Sequence, residues 1–456
     1  MAGLVPAIPI MKGSALHAIG ITGTRPVMTR QDEGEIDGTH TQDAGGAIKT
    51  GSFVNTISSR TTAPGMPSLR PSLSLDRLGS VIAVLIGVAL FASPFVIYRA
   101  NRIAAGEGRM LVDALPPSGA IGVMIVTLGV ALCAALLRAP LLRLAAASIG
   151  LCVIFPAVGW SAGFVTPAGN TFARVSPSLG FWLLTLSFAL LAADALTRLR
   201  LGPWARLAAI AVAAGAIALL LSSGAWDNLS LLKEYANRQD TFWREARQHL
   251  WLAFGSMVAA CLVGLPLGIL AHRIRRLRTA ILQVLNIVQT IPSIALFGIL
   301  IAPLGFLATH VPLAAALGIR GIGAAPAFIA LFLYSLLPVV ANTVTGLNQV
   351  PATVTDAARG MGLSARQRLW QVELPLALPV ILAGIRIVLV QNLGLATVAA
   401  LIGGGGFGTF VFQGIGQTAI DLVLLGAIPT VVLSFAAAII LDAIIDLTRR
   451  GSYDRD

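Results

Sequence analysis

From about residue 79 onward the chain repeats one pattern, a long apolar run followed by a short polar break. A helix that crosses a bilayer needs roughly 20 predominantly apolar residues, because the hydrocarbon core is about 30 Å thick and each residue rises about 1.5 Å. Five runs of that kind lie at 79–98, 119–137, 141–162, 179–196 and 204–221, and five more at 250–271, 279–303, 322–347, 380–402 and 422–447. Between the two sets, residues 227–249 alternate charged and aromatic side chains at helical spacing, which predicts an amphipathic helix lying on the membrane surface. The pattern therefore predicts an all-α, polytopic integral membrane protein of about ten transmembrane helices. Its expected organisation is an N-terminal five-helix region (76–226), an extracytoplasmic connector (227–249), a five-helix core (250–449) and a short tail (450–456).

Composition agrees. Apolar residues make up 56% of the chain and charged ones 11%, and the mean hydropathy is +0.84. A water-soluble surface of this size would need more polar cover. The net charge of +12 raises nucleic acid as a partner, but basic loops on one side of a membrane give the same total, and the aromatic interleaving of a strand-binding groove is missing. Membrane lipid is the expected partner, with no nucleic acid. Cys133, Cys152 and Cys261 each sit inside an apolar run without metal-like or paired spacing, so they read as small core residues. His17, His40, His249, His272 and His310 show no ligand spacing either, so no metal site is expected.

Residues 1–75 are of different material, rich in Gly, Thr, Ser and Pro with scattered charge, and are expected to be disordered or not part of the native chain. Met66 is then the candidate start, since Met66-Pro-Ser-Leu-Arg-Pro leads directly into the first run.

Arginine placement orients the runs, because cytoplasmic loops retain positive charge. Under a ten-span count Arg138 and Arg143, Arg198, Arg200 and Arg206, Arg273 to Arg278, Arg359 to Arg368, and Arg449 and Arg450 all fall on one face, making both termini cytoplasmic. Loop 99–118 breaks the rule with Arg99, Arg102 and Arg109 on the outer side.

The polar stretch 353–375 carries the clearest local signals. Thr353 with Asp356, and Ser364 with Gln367, are two capping-box patterns, each predicting a helix start. Gly360 and Gly362 stand where the first short helix would end and could take the left-handed turn. Pro375 and Pro379 are expected to close the second helix. Ala357, Ala358, Met361, Leu363, Leu369 and Trp370 would form an apolar ridge among Arg359, Arg366 and Arg368, a shape that a partner's groove could receive.

Asp356-Ala357-Ala358, then Gly362, then Val372-x-Leu374-Pro375 resemble the EAA motif of ABC importer permeases, with Asp in place of the usual Glu at the first position. The runs 286–297, 330–343 and 372–386 resemble permeases of the osmoprotectant subfamily, for glycine betaine, choline or carnitine, and the extra N-terminal helices resemble a branch of it. The resemblance implies an inner-membrane permease of a type I importer in a bacterial cell. In it, Asp356, Ala357, Ala358, Arg359, Gly360, Met361 and Gly362 would form the coupling helix seated on an ABC ATPase subunit, with Leu374 and Pro375 completing the motif. It further implies a separate extracytoplasmic solute-binding protein, and a homodimer or a heterodimer with a second permease. No cofactor would be bound by this chain; ATP and Mg would be used by the partner ATPase. No G-x-x-x-x-G-K-[ST] occurs, so the chain is not expected to be an enzyme.

Polar residues inside spans are costly and mark candidates for a translocation path: Asn286, Gln289, Thr290 and Pro292, then Asn342, then Gln391 and Asn392. Hydrogen bonding between helices is the competing role. No aromatic cage for a quaternary ammonium is legible; Phe297, Phe328, Phe332, Tyr334, Phe407, Phe410 and Phe412 are spread over several runs. Gly403 to Gly408 satisfies G-x-G-x-x-G but lacks the strand that a nucleotide site requires, and reads as a turn. Asp442 and Asp446 read as solvated helix-end residues or ATPase contacts. The alternative function is an ion-coupled secondary transporter, which an inverted repeat would favour; the two halves show no such similarity.

Overall fold

A computed structural model describes residues 76–102 and 104–453. Residues 1–75, with the reading of them as disordered and of Met66 as the start, lie outside the described residues, as do 454–456.

The N-terminal region is built from α1 (Arg77–Phe91), strands β1 (Val96–Arg99) and β2 (Glu107–Arg109), the short α2 (Leu111–Ala114), α3 (Pro117–Leu136), α4 (Pro140–Val165), strand β3 (Arg174–Pro177), α5 (Leu179–Leu199) and α6 (Pro203–Ser222). Prolines at the start of α3, α4 and α6 fit the first helical turn, where a missing N–H costs nothing. Inner faces of α1, α3, α4 and α5 meet around Ile82, Ile86, Ile154, Phe181 and Phe188, all fully buried. A side-chain carbon at Gly79 would lie 1.8 Å from the Ala134 carbonyl oxygen, so only a bare backbone lets α1 approach α3 this closely.

One expectation changes here. The first apolar run holds a helix of 15 residues, not a full span, because its end, Val96 to Arg99, is drawn into an antiparallel sheet of order β2-β1-β3. Val96 faces Arg109 on one side and Pro177 on the other. The fold is mostly helical, as expected, with one small sheet added. β-branched and aromatic residues at the end of an apolar run suit a strand as well as a helix, and the run's length hid the switch.

Arg143, counted above as a loop charge, is fully buried at the start of α4. Its guanidinium holds Asp194 at 2.7 Å, Asp76 at 2.6 Å and the carbonyls of Ala134 and Leu137 at 3.0 and 2.6 Å. One side chain thereby ties the entry to α1 to the α3–α4 turn and to α5.

The remainder comprises α7 (Ser230–Asn237), α8 (Gln239–Arg273), α9 (Arg275–Thr290), α10 (Ser293–His310), α11 (Pro312–Ala316), α12 (Ala324–Asn348), α13 (Ala352–Gly360), α14 (Ala365–Arg368), a π-helical turn (Leu369–Glu373), α15 (Leu374–Val398), a 3-10 turn (Ala399–Ile402), α16 (Gly408–Gly416) and α17 (Ile420–Tyr453). α8 is the central post and packs along α12 and α15. Gly264 and Gly268 let α12 close in, since added carbons there would meet Val339 and Thr343 at 2.8 and 2.6 Å.

The connector 227–249 divides in the structure. Only α7 stands apart, and residues 239–249 form the first three turns of α8, so their alternating charges cap a span instead of lying along a surface. The expected span 279–303 is broken in two at Ile291 and Pro292, giving α9 and α10. Among the described residues nine helices are long and apolar enough to cross a membrane, α1 being the shorter tenth. α6 buries none of its apolar stretch, as suits a helix facing lipid.

Candidate functional site

The stretch 353–375 forms two helices and a tight turn at the C-terminal end of α8. α13 starts at Ala352 behind Pro351, one residue before the expected Thr353 cap, and no side chain caps it. Its end is a Schellman motif: the Leu363 N–H donates to the Ala358 carbonyl at 3.2 Å and the Gly362 N–H to the Arg359 carbonyl at 3.0 Å. Gly362 takes φ +81°, and nothing lies within 4 Å of where its side chain would be, so backbone conformation, not crowding, calls for glycine. The second capping box forms as read. Gln367 N–H donates to Ser364 Oγ at 3.3 Å, and Gln367 Oε1 accepts from the Ser364 N–H at 2.9 Å.

Pro375 and Pro379 do not close the second helix. Pro375 lies in the first turn of α15 and Pro379 inside it, and the chain runs from α14 into α15 through the π-helical turn. Widening the turn at 369–373 shifts the carbonyls that a proline ring would otherwise strike.

The apolar ridge splits into two faces. Ala358 is buried and Leu369 packs toward Leu347, Ala377 and Ile381, whereas Met361 and Trp370 are 74% and 62% exposed. Ala357, Arg359 and Arg366 are exposed with them, and Asp356 pairs with Arg359 at 3.3 Å on the same surface. The outward face of the turn is therefore apolar at Met361 and Trp370 and basic around them.

Sequence reasoning passed over Glu373, the unspecified position between Val372 and Leu374. Its buried carboxylate accepts from Arg368 Nε at 2.9 Å and lies 3.4 Å from Arg273 at the end of α8. Arg273 also donates to the Ala365 carbonyl at 3.4 Å. The loop is thus clamped to the central post of the core. A carboxylate shortly after Arg366 and Arg368 was the available signal.

The polar span residues separate by role. Asn392 is fully buried and its Nδ2 donates to Ser256 Oγ and Ser335 Oγ, both at 2.9 Å, joining α15 to α8 and α12. Asn342 donates to the Pro338 carbonyl of its own helix and lies where α15 crosses at Gly384. Gln289 donates to the Tyr334 carbonyl at 2.7 Å. Thr290 turns back to the Ile287 carbonyl. Asn286 is exposed and Gln391 half-buried, and neither has a hydrogen bond among the described residues. Pro292 sits in the α9–α10 break, where the Ile291 carbonyl accepts from the Tyr334 hydroxyl of α12. The break, Gln289 and Asn392 thus meet α12 at Tyr334 and Ser335.

At the opposite end, three glycines of the 403–408 turn take positive φ: Gly403, Gly405 and Gly406. Glu245 accepts from the Gly406 N–H at 2.7 Å and Gln248 donates to the Gly404 carbonyl at 3.1 Å, so the first turns of α8 hold this connection in place. The aromatics are packing: Phe242 contacts Phe407 and Phe410, and Trp251 contacts Phe328. Asp442 and Asp446 are not simply solvated. Asp442 pairs with Arg386 of α15, and Asp446 with Arg206 of α6 at 2.9 Å.

Residues 264–450 match the family of binding-protein-dependent transport system inner membrane components, and 76–232 match the N-terminal domain of the ABC transporter permease YehY. The osmoprotectant import permease protein OsmW of Salmonella typhimurium is 44% identical over 195 residues, 43% of this chain and 84% of its own length. The chain belongs to the binding-protein-dependent ABC permeases. OsmY of the same organism, also an osmoprotectant import permease protein, is 40% identical over 232 residues, 50% of this chain and 89% of its own. OpuCB of Bacillus subtilis, a glycine betaine/carnitine/choline transport system permease protein, is 36% identical over 203 residues, 44% and 84% of the two chains. Among solved structures, an inward-facing form of the MetNI methionine ABC transporter aligns with 46% of this chain and 97% of its own, at TM-score 0.41 and 23% identity. By its family, the permease is a multi-pass inner-membrane subunit, of a class that works with an ATPase subunit and a substrate-binding protein and does not itself hydrolyse ATP.

Proposed function

We propose that this permease forms the inward path for an osmoprotectant such as glycine betaine, choline or carnitine. It would assemble as a homodimer, with both termini cytoplasmic. The names of its relatives support the solute class, and the basic side chains around the 353–375 loop support the orientation. In this reading α13 and the turn after it, Asp356 to Gly362, seat in a groove of the ATPase subunit, and Met361 and Trp370 supply the apolar contact.

The observation that carries the reading is the Glu373 clamp. A push on α13 reaches α14 and, through Arg368, Glu373 and Arg273, the end of α8. ATP and Mg would bind at the ATPase, whose closure draws two such loops together and rocks the helices about the α9–α10 break. Asn286, Gln289, Thr290, Pro292, Asn342 and Gln391 would lie along the path, whereas Asn392 holds α15 to α8 and α12. Solute choice would rest with the binding protein.

Pulldown of the tagged permease in mild detergent tests this. The ATPase subunit should be recovered with the native chain and lost with Gly362→Trp, while the variant stays folded. Recovery of the chain alone in both cases would remove the coupling role from this loop.

A further inference from the structure

At the end of the molecule away from the coupling loop, a cavity of about 280 Å3 opens between the N-terminal sheet and the α16–α17 turn. Its polar lining includes Arg99, Arg102, Arg174, Glu234, Gln417 and Asp421. The two parts of the chain are already joined there. Arg102 donates to Gln417 at 3.2 Å, and Ser176 of β3 donates to Asp421 Oδ2 at 2.8 Å.

The charges in this cavity do not balance. Three guanidiniums face two carboxylates, and one of those, Glu234, is shared at a distance. It lies 3.8 Å from Arg102, 4.0 Å from Arg174 and 3.6 Å from Arg238, beyond good hydrogen-bond range in each case. Arg174 Nε is buried without a hydrogen-bond partner. Arg99 is half-buried, and among the described residues its guanidinium makes no hydrogen bond and no salt bridge, although it lies within Coulombic range of Asp421. Its direction is fixed by the hairpin. The side chain passes over Gly106, where an added carbon would stand 3.2 Å from Arg99 Nε.

A half-buried guanidinium with its planar fork unused, in a cavity with more guanidiniums than carboxylates, matches a single carboxylate. The one unused fork of Arg99 fits the two oxygens of a carboxylate, and the volume admits a small organic molecule. We propose that this cavity binds the carboxylate of a small solute, held by Arg99 and flanked by Arg102 and Arg174. Because the lining comes from both the N-terminal region and the core, an occupant ties them together at one end of α8. That helix of 35 residues is about 52 Å long, and its other end carries the Arg273 contact to the coupling loop. The extra N-terminal region would thereby report a carboxylate solute to the transport core. The proposal does not rest on which solute is transported.

The test is calorimetric titration of the purified full chain in lipid nanodiscs, without ATPase or binding protein, using acetate, glycine betaine and choline. Acetate or betaine should bind and choline, which has no carboxylate, should not. Arg99→Gln should weaken carboxylate binding at least tenfold while moving the melting temperature of the ligand-free protein only slightly, since Arg99 makes no hydrogen bond or salt bridge there to lose. Binding of acetate and betaine alike marks any small carboxylate as the ligand. Binding of betaine alone marks a zwitterion whose cation lies toward Glu234 and Asp421. Choline binding equal to betaine's, carboxylate binding unaffected by Arg99→Gln, or no saturable binding of either carboxylate would each overturn the proposal.

Discussion

Gly362 holds a backbone conformation that side chains resist, at a point where space is open. Valine there should therefore cost about 1–2 kcal/mol of local strain without disturbing the packed core. We expect Gly362→Val to keep the melting temperature of the detergent-purified chain within a few degrees of native, while ATPase binding in a pulldown falls sharply. Glu373→Gln should act differently. It leaves Arg368 and Arg273 without their carboxylate, and hydrogen bonds to charged groups are worth about 1.5–3 kcal/mol each. The ATPase should still bind to this variant while ATP-driven uptake drops, because the loop would no longer be tied to α8. Tyr334→Phe removes the donor to the part-buried Ile291 carbonyl, and a hydrogen bond of this kind contributes about 0.5–1.5 kcal/mol. Hydrogen exchange at residues 288–296 should accelerate in that variant ahead of the rest of the protein. Of these residues only Gly362 was legible in the sequence, because a glycine just past a helix has one common use. Glu373 and Tyr334 act through partners roughly 5 to 100 residues away, which spacing along the chain does not reveal.

At the scale of elements, length and apolarity located the spans well and their ends poorly. α8 continues three turns beyond its apolar part because Glu245 and Gln248 find partners in the 403–408 turn, a tertiary gain absent from local pattern. The sheet was hidden for a similar reason, as its strands of three and four residues are stabilised by pairing across the chain. Arg143 shows the reverse case, a charge that looks like a loop charge until its partners are seen. The contact with its guanidinium holds the carboxyl of Asp76 below the usual 3.8. A carboxyl lowered on folding adds stability that is fully present above its unfolded value and is lost as pH falls through the lowered one. The native protein should therefore begin to lose melting temperature below about pH 4, and Asp76→Asn should be less stable at neutral pH and flatter over that acid range. Arg143→Met should be much worse, by about 3–5 kcal/mol, because two carboxylates lose a buried partner.

Over the whole molecule, the N-terminal region and the core are joined at both ends: by Arg206 with Asp446 near the C-terminal part of α17, and by Ser176 with Asp421 at its start. Arg206→Met should loosen α6, the one long helix that buries none of its apolar stretch, and protease should then cut near residues 200–203 sooner than in the native chain. The family of the permease core was legible because the 353–375 loop keeps the residue spacing of the family's motif. The joining contacts were not, because any arginine near a helix end could have made them. The central claim is that the chain is the solute path of an ATP-driven importer, and uptake of labelled glycine betaine into proteoliposomes tests it most directly. With the permease, its ATPase and its loaded binding protein reconstituted, uptake should require ATP inside the vesicle, persist when the proton gradient is collapsed, and fail with Gly362→Val. Uptake by the permease alone that continues without ATP and stops when the gradient is dissipated would contradict it.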